Sequence, residues 1–96
     1  MLLSLTPYYL HFQPLPYKHA NMYLQNFKNI QITLYVGNNS WPVLVKHSQD
    51  AYRLGKGWRV FVMENALKMD DVCLFQLMGV QIGVVYKVII FKAKFD

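Results

Sequence analysis

Ile30-Gln31-Ile32-Thr33-Leu34-Tyr35-Val36, then Gly37-Asn38-Asn39-Ser40, then Trp41-Pro42-Val43-Leu44-Val45, is the stretch that decides the fold class. Ile30, Ile32, Leu34 and Val36 fall on one side of an extended chain, and Gln31, Thr33 and Tyr35 on the other, the two-residue period of a half-buried strand. Gly37 to Ser40 reads as a turn, because Gly and Asn tolerate positive φ. Trp41, Val43 and Val45 resume the alternation, with Pro42 near the strand start, where a missing N–H does least harm. The stretch is a β-hairpin.

Outward from the hairpin the pattern stays mainly β. Tyr8, Leu10 and Phe12 alternate weakly up to Gln13. Pro14 and Pro16 break that run, and Pro16 suits the first turn of a short helix over Tyr17–Leu24, with Ala20, Tyr23 and Leu24 on its inner face. Lys46 to Asp50, KHSQD, is polar and loop-like, and Ala51–Leu54 reads as a short strand. After Gly55-Lys56-Gly57, Trp58, Phe61 and Val62 recur at helical spacing, and Asn65 is suited to end that helix in the left-handed conformation. Asp70-Asp71 marks a turn. Cys73, Phe75 and Leu77 alternate, and so do Tyr86, Val88 and Ile90. About six short strands and two short helices, with strands roughly ten residues apart, argue a barrel or sandwich.

The chain has 96 residues, so one domain, 1–96, is expected. It is too apolar for a disordered tail, at 54% hydrophobic and 16% charged. Its net charge of +5 suits a polyanionic partner. Val72 to Phe91 is twenty residues with one charge, Lys87, long enough to span a bilayer. Gly79 and Gly83 inside it, and the β-branched residues after them, favour two strands joined by a loop, so no membrane partner is expected. The single cysteine, Cys73, rules out an internal disulfide and fits a reducing compartment. Between Val72 and Leu74 it reads as a buried, inert thiol. His11, His19, His47 and Cys73 lack a zinc-ligand spacing, and Asp70-Asp71 reads as a turn rather than an acid–base pair. No metal, cofactor or catalytic residue is expected. Trp41, Trp58, Phe61, Phe75 and Phe91 read as core.

Four blocks then occur in order: Trp41-Pro42-Val43; Gly57-Trp58-Arg59-Val60-Phe61; Glu64-Asn65-Ala66-Leu67-Lys68 running on through Asp71-Val72-Cys73-Leu74-Phe75-Gln76-Leu77; and Lys87-Val88-Ile89-Ile90-Phe91. Upstream stand Leu15-Pro16, His19-Ala20 and Tyr23-Leu24. This order resembles the plant B3 DNA-binding domain, with the reproductive-meristem branch nearest in flavour, over about residues 12–91. The resemblance implies a mainly β, B3-type open β-barrel of about six to seven short strands with two short α-helices. It implies a nuclear transcription factor and not an enzyme.

Family members open with a first strand and a basic loop before the block that starts here at Leu15. Only fourteen residues precede Leu15, so that first strand is expected to be missing, or improvised from Leu2–Leu5. A glycine of the family pattern is Asp70 here, which must then take positive φ. An aromatic of the pattern is His19.

The family grips the DNA major groove with two arms. The second arm maps onto Lys46–Arg53. Arg53 has the donor fork for guanine, Gln49 the amide for adenine, and Ser48 bonds either base. Lys46 and His47 would hold phosphates, and Lys56 and Arg59 would reach the backbone beside them. Lys18 would extend the same positive face. The first arm maps onto Thr6–Gln13, with Tyr8, Tyr9 and His11 as candidates. The resemblance therefore implies double-stranded DNA as partner, with weak sequence preference. The alternative is a B3-like interaction or dimerisation module that has lost DNA binding, using other transcription factors or its own copy as partner.

Overall fold

A computed structural model describes residues 1–5, 13–24, 29–48, 51–81 and 83–94. Its elements are β1 (Leu2–Ser4), β2 (Gln13–Pro14), α1 (Tyr17–Leu24), β3 (Asn29–Val36), β4 (Asn39–Ser48), β5 (Ala51–Leu54), α2 (Trp58–Glu64), β6 (Val72–Gly79) and β7 (Val84–Phe91). The seven strands form one sheet in the order β1-β6-β7-β3-β4-β5-β2, curled into an open half-barrel. All pairings are antiparallel except β3 with β7, where Leu34 lies beside Tyr86.

The two edge strands meet at a seam. Gln13 is 3% exposed, and its Nε2 donates to the Ser4 carbonyl at 3.2 Å, joining β2 to β1. A first strand is present at Leu2–Ser4: Leu2, Leu3 and Ser4 pair with Leu74, Cys73 and Val72. Val72–Phe91 is two strands, as its glycines imply. No helix of the described residues is long and apolar enough to cross a membrane.

Alternation sets the core. Ile32 and Leu34 of β3, Val43 and Val45 of β4, Tyr52 and Leu54 of β5, Cys73 and Phe75 of β6, and Val84, Tyr86 and Val88 of β7 are buried. Ala20 and Leu24 of α1 and Trp58, Phe61 and Val62 of α2 complete the cluster. Burial pushes the Cys73 thiol up to about 11, which keeps it protonated and unreactive. His19 takes the place of an aromatic: its ring lies 4.9 Å from that of Tyr23, and its Nε2 is 2.8 Å from the Tyr86 hydroxyl. Burial first, and then a nearby positive charge, the chain's amino terminus, lower the His19 pKa and favour the neutral ring.

Several sequence expectations are corrected. Lys46, His47 and Ser48 are strand rather than loop, because backbone pairing with Arg53, Tyr52 and Ala51 carries β4 on to Ser48. The turn after β3 is Gly37-Asn38 alone, and Asn39 already pairs with Val36. Asn65 is not left-handed, at φ −97°. Its side-chain Nδ2 donates to the Phe61 carbonyl at 2.8 Å, and the positive φ passes to Ala66, at 52°. Tyr23 is 40% exposed and Phe91 53% exposed. Phe91 follows the parity of Val85, Lys87 and Ile89, which is the outer one, and Trp41 is only half-buried. Of the expected strand Tyr8–Gln13, residues 8–12 lie outside the described residues.

Asp70 takes φ 75°, as the pattern requires. That turn delivers Asp71, 2% exposed, beneath the loop after α2. Its carboxylate accepts from the backbone N–H groups of Lys68 and Ala93, each at 2.8 Å, and pairs with Lys92 Nζ at 3.4 Å. Lys92 also donates to the carbonyls of Asn65 and Ala66. Burial opposes ionisation, but these donors outweigh it and hold the Asp71 pKa below its ordinary 3.8. The unfolded chain then binds the extra proton, so this contribution to stability is complete above the ordinary value and is lost as pH falls through the folded one. Replacing Asp71 with Asn turns one acceptor into a donor facing an N–H and is expected to cost about 2 kcal/mol. Thermal melts between pH 7 and 3 check both points: the wild type should lose stability more steeply in acid than Asp71→Asn.

Candidate nucleic-acid interface

The β4–β5 hairpin, whose end at His47–Ser48 and Ala51–Tyr52 extends past the pairing with β3 and β2, is the candidate arm, and its register sorts the candidate residues by face. Lys46 stands directly across from Arg53, and Ser48 across from Ala51. Lys46, Ser48 and Arg53 are all exposed and share the outer face. Arg53 Nη2 donates to Ser48 Oγ at 3.3 Å. His47 alternates to the inner face instead, where its ring stacks on Tyr52 at 4.0 Å and 9°. Tyr52 in turn donates to Asn21 Oδ1 at 3.2 Å and meets the Tyr17 ring at 5.8 Å. Burial first, and Tyr17 second, raise the Tyr52 pKa, so it stays a neutral donor. His47 thus braces the arm against α1 rather than joining Lys46 and Ser48.

The root of the arm is tied down by the glycine turn. Gly55 N–H donates to the Leu44 carbonyl at 2.7 Å, and Leu44 N–H donates to the Lys56 carbonyl at 2.8 Å. The Lys46 methylenes pass over Gly55, 3.4 Å from where a Cβ would stand. Gly57 sits at φ 96°, and a Cβ there would lie 2.2 Å from the Pro42 carbonyl oxygen. The Trp41-Pro42-Val43 and Gly57-Trp58 blocks are therefore in contact, and that contact sets where α2 starts relative to β4. Beside it, Gln31, Pro42, Leu44, Lys56, Gly57 and Val60 line a groove of about 330 Å³.

The structure thus brings Lys46, Ser48 and Arg53 onto one face and places Lys56 in the groove next to their root. Arg59 is exposed on α2, next to the groove residue Val60. Lys18 does not join them: it borders a separate hollow with Tyr17, Asn21 and Met22, on the side of β5 that Tyr52 faces. Gln49, Asp50, Tyr8, Tyr9 and His11 lie outside the described residues. Sequence reasoning passed over Asn29 and Gln31, which lie across from Lys46 and Leu44 on the same outer face. Their alternation with Ile30 and Ile32 was the available signal.

The described carboxylates are placed elsewhere. Glu64 accepts from the Trp41 indole at 3.1 Å, Asp71 is engaged with Lys92, and Asp70 forms the turn after α2. A cross-strand pair of like charges costs up to about 1 kcal/mol, and Lys46 opposite Arg53 is such a pair.

Known proteins resemble this chain in sequence and in fold. The profile of the B3 DNA binding domain matches residues 4–94. The rice (Oryza sativa subsp. japonica) B3 domain-containing protein LOC_Os12g40080 is 40% identical over 63 residues, covering 64% of this chain and 13% of that protein. The rice B3 domain-containing protein Os03g0620400 is 40% identical over 62 residues, 62% of this chain and 12% of that protein. The chain therefore spans a small fraction of the length of these curated relatives. The solved structure of the hypothetical Arabidopsis thaliana protein At1g16640.1 shares the fold, with a TM-score of 0.75 and 19% identity over 96% of this chain and 88% of that one. Motif order, barrel topology and a match across residues 4–94 lead to one conclusion: the chain belongs to the B3 DNA binding domain family.

Proposed function

We propose that this chain binds duplex DNA through the outer face of the β4–β5 arm, as one B3 domain over residues 1–96 acting in nuclear transcription control. The observation that carries the reading is the cross-strand pair Lys46–Arg53, two cations held in register on an exposed face. Arg53 is the arm's bidentate base reader in the major groove, and Ser48 adds a hydroxyl that suits several bases. Lys46, Lys56 and Arg59 contact phosphates, which fix position without reading sequence. With one bidentate reader among the described arm residues, sequence preference is weak. The B3 family is a family of DNA-binding domains, and the proposed role involves no catalysis.

Fluorescence anisotropy of a labelled random-sequence duplex at several salt concentrations tests this. Log K should fall linearly with log salt, at about 0.9 per phosphate contacted. The double variant Lys46→Ala/Arg53→Ala should bind about tenfold or more weakly at low salt, with the slope reduced by about 1 to 2. A folded protein that fails to bind at low salt would remove the DNA reading.

A second reading is favoured by one observation. On the outer face of β1, β6 and β7, Leu2, Leu74 and Ile89 form one cross-strand row, and Val72 and Phe91 another. Leu2 is 62% exposed and Phe91 53% exposed. Apolar rows of this kind suit a protein partner, either another transcription factor or a second copy. Sedimentation across a hundredfold concentration range separates the cases: a constant monomer mass eliminates self-association.

A further inference from the structure

We propose that Ser48 is a phosphorylation site through which the arm is switched off. The proposal rests on the DNA reading above for its consequence, but its chemistry is local. Ser48 ends β4, is exposed, and shares its face with Lys46 and Arg53. Its Oγ already accepts from Arg53 Nη2 at 3.3 Å. The other two serines stand in different company: Ser40 faces Tyr35 across the β3–β4 pair, and Ser4 faces Val72 across β1–β6.

The reaction needs ATP and a protein kinase. Ser48 Oγ attacks the γ-phosphorus, a new O–P bond forms, the bond to the β-phosphate oxygen breaks, ADP leaves, and the hydroxyl proton passes to the kinase's base. The product carries a charge of about −1.5 to −2 at pH 7 and three strong acceptor oxygens. Arg53, already hydrogen-bonded to this oxygen, engages the phosphate in a bidentate pair. Lys46 lies two residues back on the same face, its methylenes over Gly55, and adds positive charge at longer range. Arg53, which would otherwise face the duplex, is then held by an internal phosphate. The modification makes the arm's outer face more negative by about 1.5 to 2 charges, which weakens its attraction to the duplex.

Two measurements test this on the full chain. First, the folded protein is incubated with ATP and a plant nuclear extract, and its phosphopeptides are mapped by mass spectrometry. Phosphate on Ser48 is expected; phosphate only on Ser4, Ser40 or the threonines overturns the proposal. Second, phosphoserine is incorporated at position 48 during translation, and DNA anisotropy is repeated beside Ser48→Ala and Ser48→Asp. The phosphorylated chain should bind at least tenfold more weakly than the unmodified chain, with a salt slope lower by about 1 to 2, and more weakly than Ser48→Ala, which loses only the contact of its hydroxyl. Equal binding with and without the phosphate overturns the switch. Phosphorus NMR titration without DNA reads the clamp by itself. The phosphate's second pKa should fall below its usual value of about 6 and return towards it in Arg53→Ala. If the unmodified chain does not bind DNA, the DNA reading fails, and the titration decides the remainder: a lowered value restored by Arg53→Ala keeps Ser48 as a built phosphate site, and an ordinary value removes it.

Discussion

Gly57→Ala is expected to destabilise the chain by roughly 3 kcal/mol or more, and to lower its melting temperature by about 15 °C or more. Two costs act together. A left-handed backbone costs a residue with a Cβ about 1–2 kcal/mol, and Gly57 sits at φ 96°. The added Cβ would also stand 2.2 Å from the Pro42 carbonyl oxygen and 3.2 Å from Val43 Cα. Both are backbone atoms of a paired strand, so neither can swing aside, and the root of the arm has to shift. Gly37→Ala is the matched control. Gly37 also has positive φ, 60°, but a Cβ there meets nothing within 4 Å, so only the first cost applies. Thermal unfolding followed by far-ultraviolet circular dichroism compares the two. A Gly57→Ala protein that melts within a few degrees of Gly37→Ala would show that the approach to Pro42 is not a constraint.

Trp58→Ala is expected to cost about 3–5 kcal/mol, a large share of the 5–15 kcal/mol typical of a whole domain. Trp58 is fully buried, stacked on Phe61 at 5.2 Å and 19° and tilted against Phe75 at 6.5 Å. Phe61 in turn takes the edge of Trp41 at 5.2 Å, so one aromatic cluster joins α2 to β4 and β6. Truncation leaves a cavity walled by rigid rings, which relax poorly. Trp58→Phe should recover more than half of the loss, because the indole N–H has no hydrogen-bond partner among the described residues and only volume is removed. Urea titration measures both variants. If Trp58→Phe were as damaging as Trp58→Ala, the indole nitrogen would matter more than ring packing.

Taken together, these variants separate the scaffold from the proposed interface. Gly57 and Trp58 place the arm, whereas Lys46 and Arg53 project from it. Loss of DNA binding with an unchanged melt, expected for Lys46→Ala/Arg53→Ala, therefore has a different meaning from loss caused by unfolding.

The β class, the strands around Ile32, Val43, Tyr52, Phe75 and Val88, and the helices at Tyr17 and Trp58 were legible from the residues alone, because each follows from a local period that no distant contact needs to supply. Ile32 and Leu34 or Val43 and Val45 can only be buried together if the chain is extended. Asp70 at positive φ and the inert Cys73 were legible for the same reason: the motif order demanded a left-handed turn at the first, and apolar neighbours enclosed the second. The blocks also carried the family. What the sequence could not show were the results of pairing across distance. Lys46 to Ser48 look like a loop until Ala51–Arg53 stand opposite them, since polar residues form strand whenever a partner supplies the hydrogen bonds. That pairing then divides KHS between two faces, which sends His47 to Tyr52 and leaves Lys46 and Ser48 with Arg53. The Asp71–Lys92 bond, the Gln13–Ser4 seam and the approach of Gly57 to Pro42 join residues 9 to 21 positions apart, and chain closure over such spans leaves no local signature. Sequence alone determined the β class, the central strands, the two helices and the family to which the chain belongs. Tertiary structure alone decided which side chains share a face, because a face is a property of paired strands and no single strand has one.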